Sequence, residues 1–247
     1  PISEPQDGAG EAVSTSVTKY TTSAAHVHAD VLTVLSASIK AIERGMWVYA
    51  PDGGYEEGPG YWSYGTTYTH ILIASLDKAC GTNYGIYQSP GFEHSVYFTT
   101  YLGSRNTTWG FHDGGSGSAD TNIAAWFAMK SGDGNVNTIR RQAINEGWKG
   151  VSFYDIIYFN PHIVNNTVTL SKDAYYSLDT IMTFRDSWDA DRSVFAGLHG
   201  GDNAASHGDL DIGNFVICVD GTYMICDLGS ENYNVEGYFG SYRWSYY

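Results

Sequence analysis

The chain has 247 residues, with 13 Lys and Arg against 27 Asp and Glu and a formal net charge of −14, which excludes a basic surface built to track a phosphate backbone. Only 16% of residues are charged, while 29 Gly, 20 Tyr and 7 Trp bring the aromatic share to 15%, the composition of a folded chain rich in aromatic, hydrogen-bonding surface. Its uncharged apolar runs fall short of the ~20 residues a membrane-crossing helix needs, so neither nucleic acid nor membrane is an expected partner.

The leading stretch Pro1 to Gly10 is acidic and lacks the apolar core of a signal peptide. His26 and His28 follow in a polar stretch and read as solvated. Ala29 to Arg44 then sets Val31, Leu32, Leu35, Ile39 and Ile42 at helical spacing, with Gly45 as the stop. A second helix is predicted over Tyr61 to Ala79, closed by Gly81. Gly103 to Ser118 reads as a long Gly/Ser-rich surface loop. Two further amphipathic helices are predicted, Ala119 to Lys130 with Asp120 as N-cap, and Val136 to Glu146.

Beyond about Asn160 the pattern changes to strands over Ser177 to Trp188, Ser193 to Leu198 and Gly213 to Leu228. Asp220-Gly221 predicts a two-residue hairpin turn that sets Cys218 opposite Tyr223 rather than Cys226. Cys80, Cys218 and Cys226 therefore read as three buried free thiols. Helices followed by strands, without interleaving, define an α+β chain: a helical part over 1–165 and an antiparallel β part over 166–247.

Two segments carry chemistry. In Tyr49 to Tyr68 (YAPDGGYEEGPGYWSYGTTY) a Gly/Pro-broken loop enters a helix, and Tyr61, Tyr64 and Tyr68 share one helix face with Glu57 on the entering loop. This pattern suits a core-packing aromatic face or a sugar-binding cleft; phenols and a carboxylate are costly to bury without partners. In Gly200 to Gly229, His207, Asp209 and Asp211 alternate, so an extended segment would point all three one way, with Asp227 on the next strand. A histidine with carboxylates is compatible with a metal site, an acid/base site or an ordinary polar edge.

PDGGYEEGPGYWSYG, followed downstream by SHGDLDIGNFV, DGTYMICDLGSENYN, GYF and RWSYY, resembles the heparinase II/III-like polysaccharide lyases, over roughly Val31 to Tyr247. The resemblance implies an N-terminal incomplete (α/α) toroid packed on an antiparallel β-sandwich, with a substrate cleft between them. It implies β-elimination on uronic-acid-containing poly- or oligosaccharides, with Tyr61 as catalytic acid and possible base and His207 as second base or charge neutraliser. Glu57, Trp62 and Tyr64 would bind substrate, and Trp109 offers a further stacking surface.

No cofactor is required by this chemistry. Family members that bind a structural zinc have a His two residues after the catalytic one, where this chain has Asp209; Asp209 and Asp227 are the positions left for a zinc or calcium ion, and they do not close a tetrahedral site. Nothing between Pro1 and Tyr49 matches the family's upstream Asn or His that contacts the substrate carboxylate. The family's members are much longer, so a fragment of the toroid and sandwich is expected, from a secreted or periplasmic protein. The charge of −14 argues against a sulfated polymer, with Arg185, Arg192 and Arg243 as the candidates for a local basic patch. The competing expectations are a non-catalytic carbohydrate-binding fragment and a glycoside hydrolase on a helical toroid, the latter needing two opposed carboxylates with Glu57 as one.

Overall fold

The structure, a computed structural model, describes residues 24–104, 107–114, 122–165, 167–178, 180–189 and 193–240. It divides into two compact units, Pro1–Arg44 and Gly45–Tyr247. In the first the described element is helix α1 (Ala24–Gly45), which begins five residues before the predicted start and takes in His26 and His28.

The second unit mixes helix and sheet. Its helices are α2 (Gly58–Cys80), α3 (Ser95–Tyr101), α4 (Ala124–Ser131), α5 (Gly134–Asn145) and α6 (Phe153–Tyr158). A short hairpin pairs β1 (Gly103–Ser104) with β2 (Thr107–Thr108). Five antiparallel strands then follow in sequence order: β3 (Ala174–Tyr176), β4 (Ile181–Arg185), β5 (Val194–His199), β6 (Phe215–Val219) and β7 (Thr222–Ile225). The six α-helices among the described residues do not by themselves show a toroid.

Local chemistry explains the helix ends. Pro59 sits in the first turn of α2, where its missing N–H costs no bond, and Gly81 at φ 71° terminates that helix with its N–H on the Asp77 carbonyl. Asp133 caps α5 by accepting from the Asn135 N–H at 2.7 Å, and Ser152 with Asp155 forms a reciprocal capping box on α6. The N-cap position of α4 is Ile123; Asp120 lies outside the described residues.

The hydrophobic centre of the helical part is aromatic. Trp62 of α2 has no exposed surface and stacks on Phe127 of α4, ring centroids 6.3 Å apart, with Phe92 and Trp126 closing around them. Trp62 is thus a core residue, removed from any sugar by burial, and the expectation that it binds substrate does not survive. Arg140 of α5 and Asp155 of α6 form a buried two-point pair (Nε to Oδ1 3.0 Å, Nη2 to Oδ2 2.6 Å) that ties consecutive helices together. Burial alone would raise the Asp155 carboxyl; hydrogen bonds from Arg140 and Ser152 override it and hold the group below its usual range.

In the five-stranded sheet, burial alternates with the pleat. Ile181, Thr183, Phe195, Gly197, His199, Val216 and Cys218 face inward, while Phe184, Leu198 and Phe215 stay 44–46% exposed on the other face. The inward face receives the helical part at Gly197, which pairs with Thr183 and Val216. A Cβ there would meet the Trp109 ring at 2.4 Å, so only glycine leaves room for the indole. Phe98 of α3 packs edge-on against Tyr176 of β3 at 5.1 Å.

This packing corrects one reading. Trp109 and Phe111, predicted within a surface loop, are both fully buried, each contributing roughly 1.5–3 kcal/mol of transfer free energy. The Gly-rich composition around them disguised two core anchors, and burial denies Trp109 a role in stacking sugars. The predicted hairpin forms as read, with Cys218 opposite Tyr223 and Val219 opposite Thr222, and with Asp220 and Gly221 both at positive φ (49° and 78°). None of the three cysteines is in a disulfide, and only Cys218 is buried; Cys80 and Cys226 are exposed, each at or just beyond an element's end.

Candidate functional site

Tyr61 stands in the first turn of α2, and the loop beneath that turn decides what it meets. Buried Phe111 fixes this loop: a Cβ on Gly58 would touch the Phe111 carbonyl at 3.2 Å, and one on Gly114 would lie 3.9 Å from the Glu57 carbonyl. Asp113 is thereby delivered under the helix mouth. A second loop, after β5, is pinned alongside. The Asp113 N–H donates to the His207 carbonyl at 3.1 Å, the His112 N–H to Asp211 Oδ2 at 3.4 Å, and the Asp209 N–H to His112 Nδ1 at 3.3 Å.

Asp113 is the hub of the cluster. Its side chain is 1% exposed and accepts from His207 Nδ1 at 3.0 Å, from the Tyr233 hydroxyl at 3.1 Å and from the Tyr238 hydroxyl. The Tyr61 and Tyr233 hydroxyls are 2.7 Å apart, and the Tyr61 ring stacks on His207 with centroids 4.0 Å apart and planes at 23°. Burial, then the hydrogen bonds to Tyr61 and Asp113, push the Tyr233 phenol above its ordinary value. Tyr233 is therefore a fixed donor to Asp113, and Tyr61 is left to donate to the Tyr233 oxygen. A carboxylate on His207 Nδ1 likewise selects the tautomer with the lone pair on Nε2. The arrangement combines an imidazole, a phenolic hydroxyl and a buried carboxylate that orients the imidazole.

Tyr61 and His207, from the two chemistry-bearing segments, lie against each other. Tyr64 and Tyr68 are 67% and 61% exposed and form an edge-to-face pair 5.2 Å apart one and two turns along α2. Glu57 is half-buried just before the helix. Asp113, Tyr233 and Tyr238 were not among the predicted residues; Asp113 sits in the supposed surface loop, and the two tyrosines lie within the resemblance without a distinguishing spacing.

His207, Asp209 and Asp211 do not share one face. The segment is a series of turns, with His207 itself at φ 57°, so His207 points toward Tyr61 and Asp211 toward a different group. That group is His112 and His199, whose donor atoms lie with one from Asp211 within 4.8 Å of one another. Burial, with His112 adding to it, pushes the His199 imidazole down to about 4. For Asp211, burial works upward and the contacts with His112 and His199 overcome it, leaving the carboxyl low. Among the described residues this trio, not Asp209 with Asp227, is the group of three able to hold a metal ion. The Asp227 carboxylate is engaged by the Gly229 N–H at 2.7 Å and by Asn214 Nδ2, and burial raises its pKa.

Helices are followed by an antiparallel sheet, and Tyr61 meets His207 where these two parts join. No family model and no curated protein matches the sequence. Among solved structures, the chain is similar to heparinase III, the BT4657 gene product, at 18% identity and a TM-score of 0.50, over 84% of this chain and 30% of that one. It is also similar to a mutant of the heparan sulfate lyase HepC from Pedobacter heparinus, at 18% identity and a TM-score of 0.52, over 85% of this chain and 30% of that one. The methylated-lysine form of the first gives a TM-score of 0.53 over 83% and 30% at the same 18% identity. The relation is distant and partial: this chain spans about 30% of the length of those proteins.

Proposed function

We propose that the chain is the catalytic portion of a polysaccharide lyase acting by β-elimination on uronic-acid-containing glycans. The observation that supports this reading above all is the contact of Tyr61 and His207 around Asp113. His207 Nε2 takes the proton from the carbon next to the uronate carboxylate; the electron pair left behind forms the carbon–carbon double bond, the bond to the 4-linked oxygen breaks, and that oxygen takes the Tyr61 proton. The division of labour follows from the contacts: Asp113 on Nδ1 leaves Nε2 of His207 to accept a proton, and the Tyr61 hydroxyl carries the proton to be given. Exposed Tyr64 and Tyr68 offer stacking faces for sugar rings, with Glu57 at the helix mouth as a polar contact. The exposed apolar face of the sheet suits a second sheet, as in a sandwich, and the helices suit part of a toroid. A secreted or periplasmic setting, where such polymers are met, belongs to the same proposal.

The charge distribution favours an unsulfated substrate. Lys130 is paired to Asp77 at 2.6 Å and Arg140 to Asp155, and Arg185 stacks 3.9 Å from the Trp188 ring while donating to the Tyr101 and Gly103 carbonyls. Arg185 is therefore occupied internally; Arg192 and Arg243 lie outside the described residues. The test is release of unsaturated product, read in the near ultraviolet, from a panel of uronate glycans. Turnover is expected on at least one, and Tyr61→Phe lowers kcat by about 10²–10⁴-fold; absence of product from the whole panel, or an unaffected Tyr61→Phe, defeats the reading. A second reading, glycan binding without turnover, is favoured by the make-up of the contacts described at Asp113: among the described residues they come from an imidazole and two phenols rather than from a cation that would neutralise the uronate. Binding in the same panel with no unsaturated product would select it.

A further inference from the structure

His112, His199 and Asp211 come from three separate places in the unit: the loop after β2, the end of β5 and the loop before β6. The His199 side chain is 1% exposed, and its Nδ1 has no hydrogen-bond partner among the described residues, 3.8 Å from Asp211 Oδ2. His112, 2% exposed, holds Nδ1 3.3 Å from Asp211 Oδ1. A buried nitrogen without a partner is costly, and 3.8 Å is too long for a hydrogen bond to repay it. The spacing has another explanation. A tetrahedral cation with ligand bonds of about 2.1 Å sets its donor atoms about 3.4 Å apart; one donor atom from each of His112, His199 and Asp211 lies within 4.8 Å of the other two, a set that a bound ion would draw together. Phe111 stacks on His199 with centroids 4.6 Å apart and fixes the imidazole from the other side.

We infer that His112, His199 and Asp211 form a binding site for a divalent first-row transition ion of the zinc type. Two imidazoles with one carboxylate suit such an ion and disfavour calcium or magnesium, which take oxygen ligands. Three protein donors leave one tetrahedral position for water. The ion would join His112 to Asp211, and so fasten together the two loops that carry Asp113 and His207. These are not the positions where the lyase resemblance placed a metal, and uptake is measured without turnover, so failure of the elimination assay leaves this inference standing.

The experiment is titration of chelator-treated full-length protein with Co²⁺, followed by its visible absorption and by competition with Zn²⁺. One equivalent is expected to bind with a tetrahedral-type spectrum. His199→Gln and Asp211→Asn are expected to weaken uptake by about 100-fold or more, while His70→Phe, altering another buried histidine, retains it. A wild-type protein that takes up no Co²⁺, a His199→Gln protein that binds as tightly as wild type, or equal loss in His70→Phe overturns the site. Should the ligand variants fail to fold, X-ray absorption of the Zn²⁺-loaded wild type decides: a shell with two imidazoles and oxygen supports the site, and one containing sulfur or oxygen alone overturns it.

Discussion

Asp113 orients the chemistry without being exposed to it. Donors from His207, Tyr233 and Tyr238 converge on a carboxylate that solvent hardly reaches, and its effect is to choose which nitrogen of His207 is the base. Asp113→Asn preserves the shape but offers an N–H toward His207, turning the imidazole to the wrong tautomer. The expected result is a loss of about 10⁴-fold in kcat with a much smaller change in KM, as when the orienting carboxylate of a Ser-His-Asp triad is amidated. Steady-state kinetics on whichever glycan is cleaved would check it; equal kcat would show that Asp113 merely fills space. Tyr61 and His207 were readable because each lies in a dense segment of chemistry-bearing residues. Asp113 was not, since its importance arises from contacts 94 to 125 residues distant along the chain, which no local pattern records.

Elements long enough to repeat their period declared themselves, and short ones did not. Helix α2 announces itself through Gly81 and several turns of spacing, although it starts at Gly58 with Pro59 in its first turn rather than at Tyr61, and β4 to β6 through their β-branched and aromatic content. Helices α3 and α6, of 7 and 6 residues, are too short to show a period and are held by tertiary packing and a capping box. The contact between Trp109 and Gly197 shows how element-level packing reaches the site: an indole seated in a gap in β5 fixes the loop that continues into His112 and Asp113. Gly197→Ala places a methyl against that ring at 2.4 Å, in the middle of a sheet with neighbours on both sides. Destabilisation of about 1–3 kcal/mol is expected in urea denaturation, accompanied by reduced activity; an unchanged midpoint would mean that the indole can move away freely.

Across the whole molecule, buried neutral histidines make stability depend on acidity. His70 is 1% exposed and enclosed by Trp126, Tyr154 and Tyr158 at centroid distances of 4.7, 5.0 and 5.3 Å. Burial pushes its imidazole from 6.5 down to about 4, opposed by a backbone contact with Thr67. Between those values the unfolded chain binds the proton and the folded one does not, so stability is full above about pH 6.5 and is lost as pH falls toward 4, by at most about 3 kcal/mol from this residue. His70→Phe is expected to flatten that part of the curve in denaturation experiments at stepped pH; an unaltered slope would assign the acid sensitivity elsewhere. The order of helices before strands was legible at this scale because composition changes along the chain. The joining of the two parts was not, because it depends on Trp109 and Phe111 in a segment whose glycines pointed to solvent.

His112 adopts φ 55°, a left-handed twist that is uncommon for a residue other than glycine. That twist sends two consecutive side chains to different tasks: His112 toward His199 and Asp211, and Asp113 toward His207 and the tyrosines. A single inserted or deleted residue here would scramble both assemblies at once, so evolution can adjust the loop that carries His112 and Asp113 by substitution but scarcely by length.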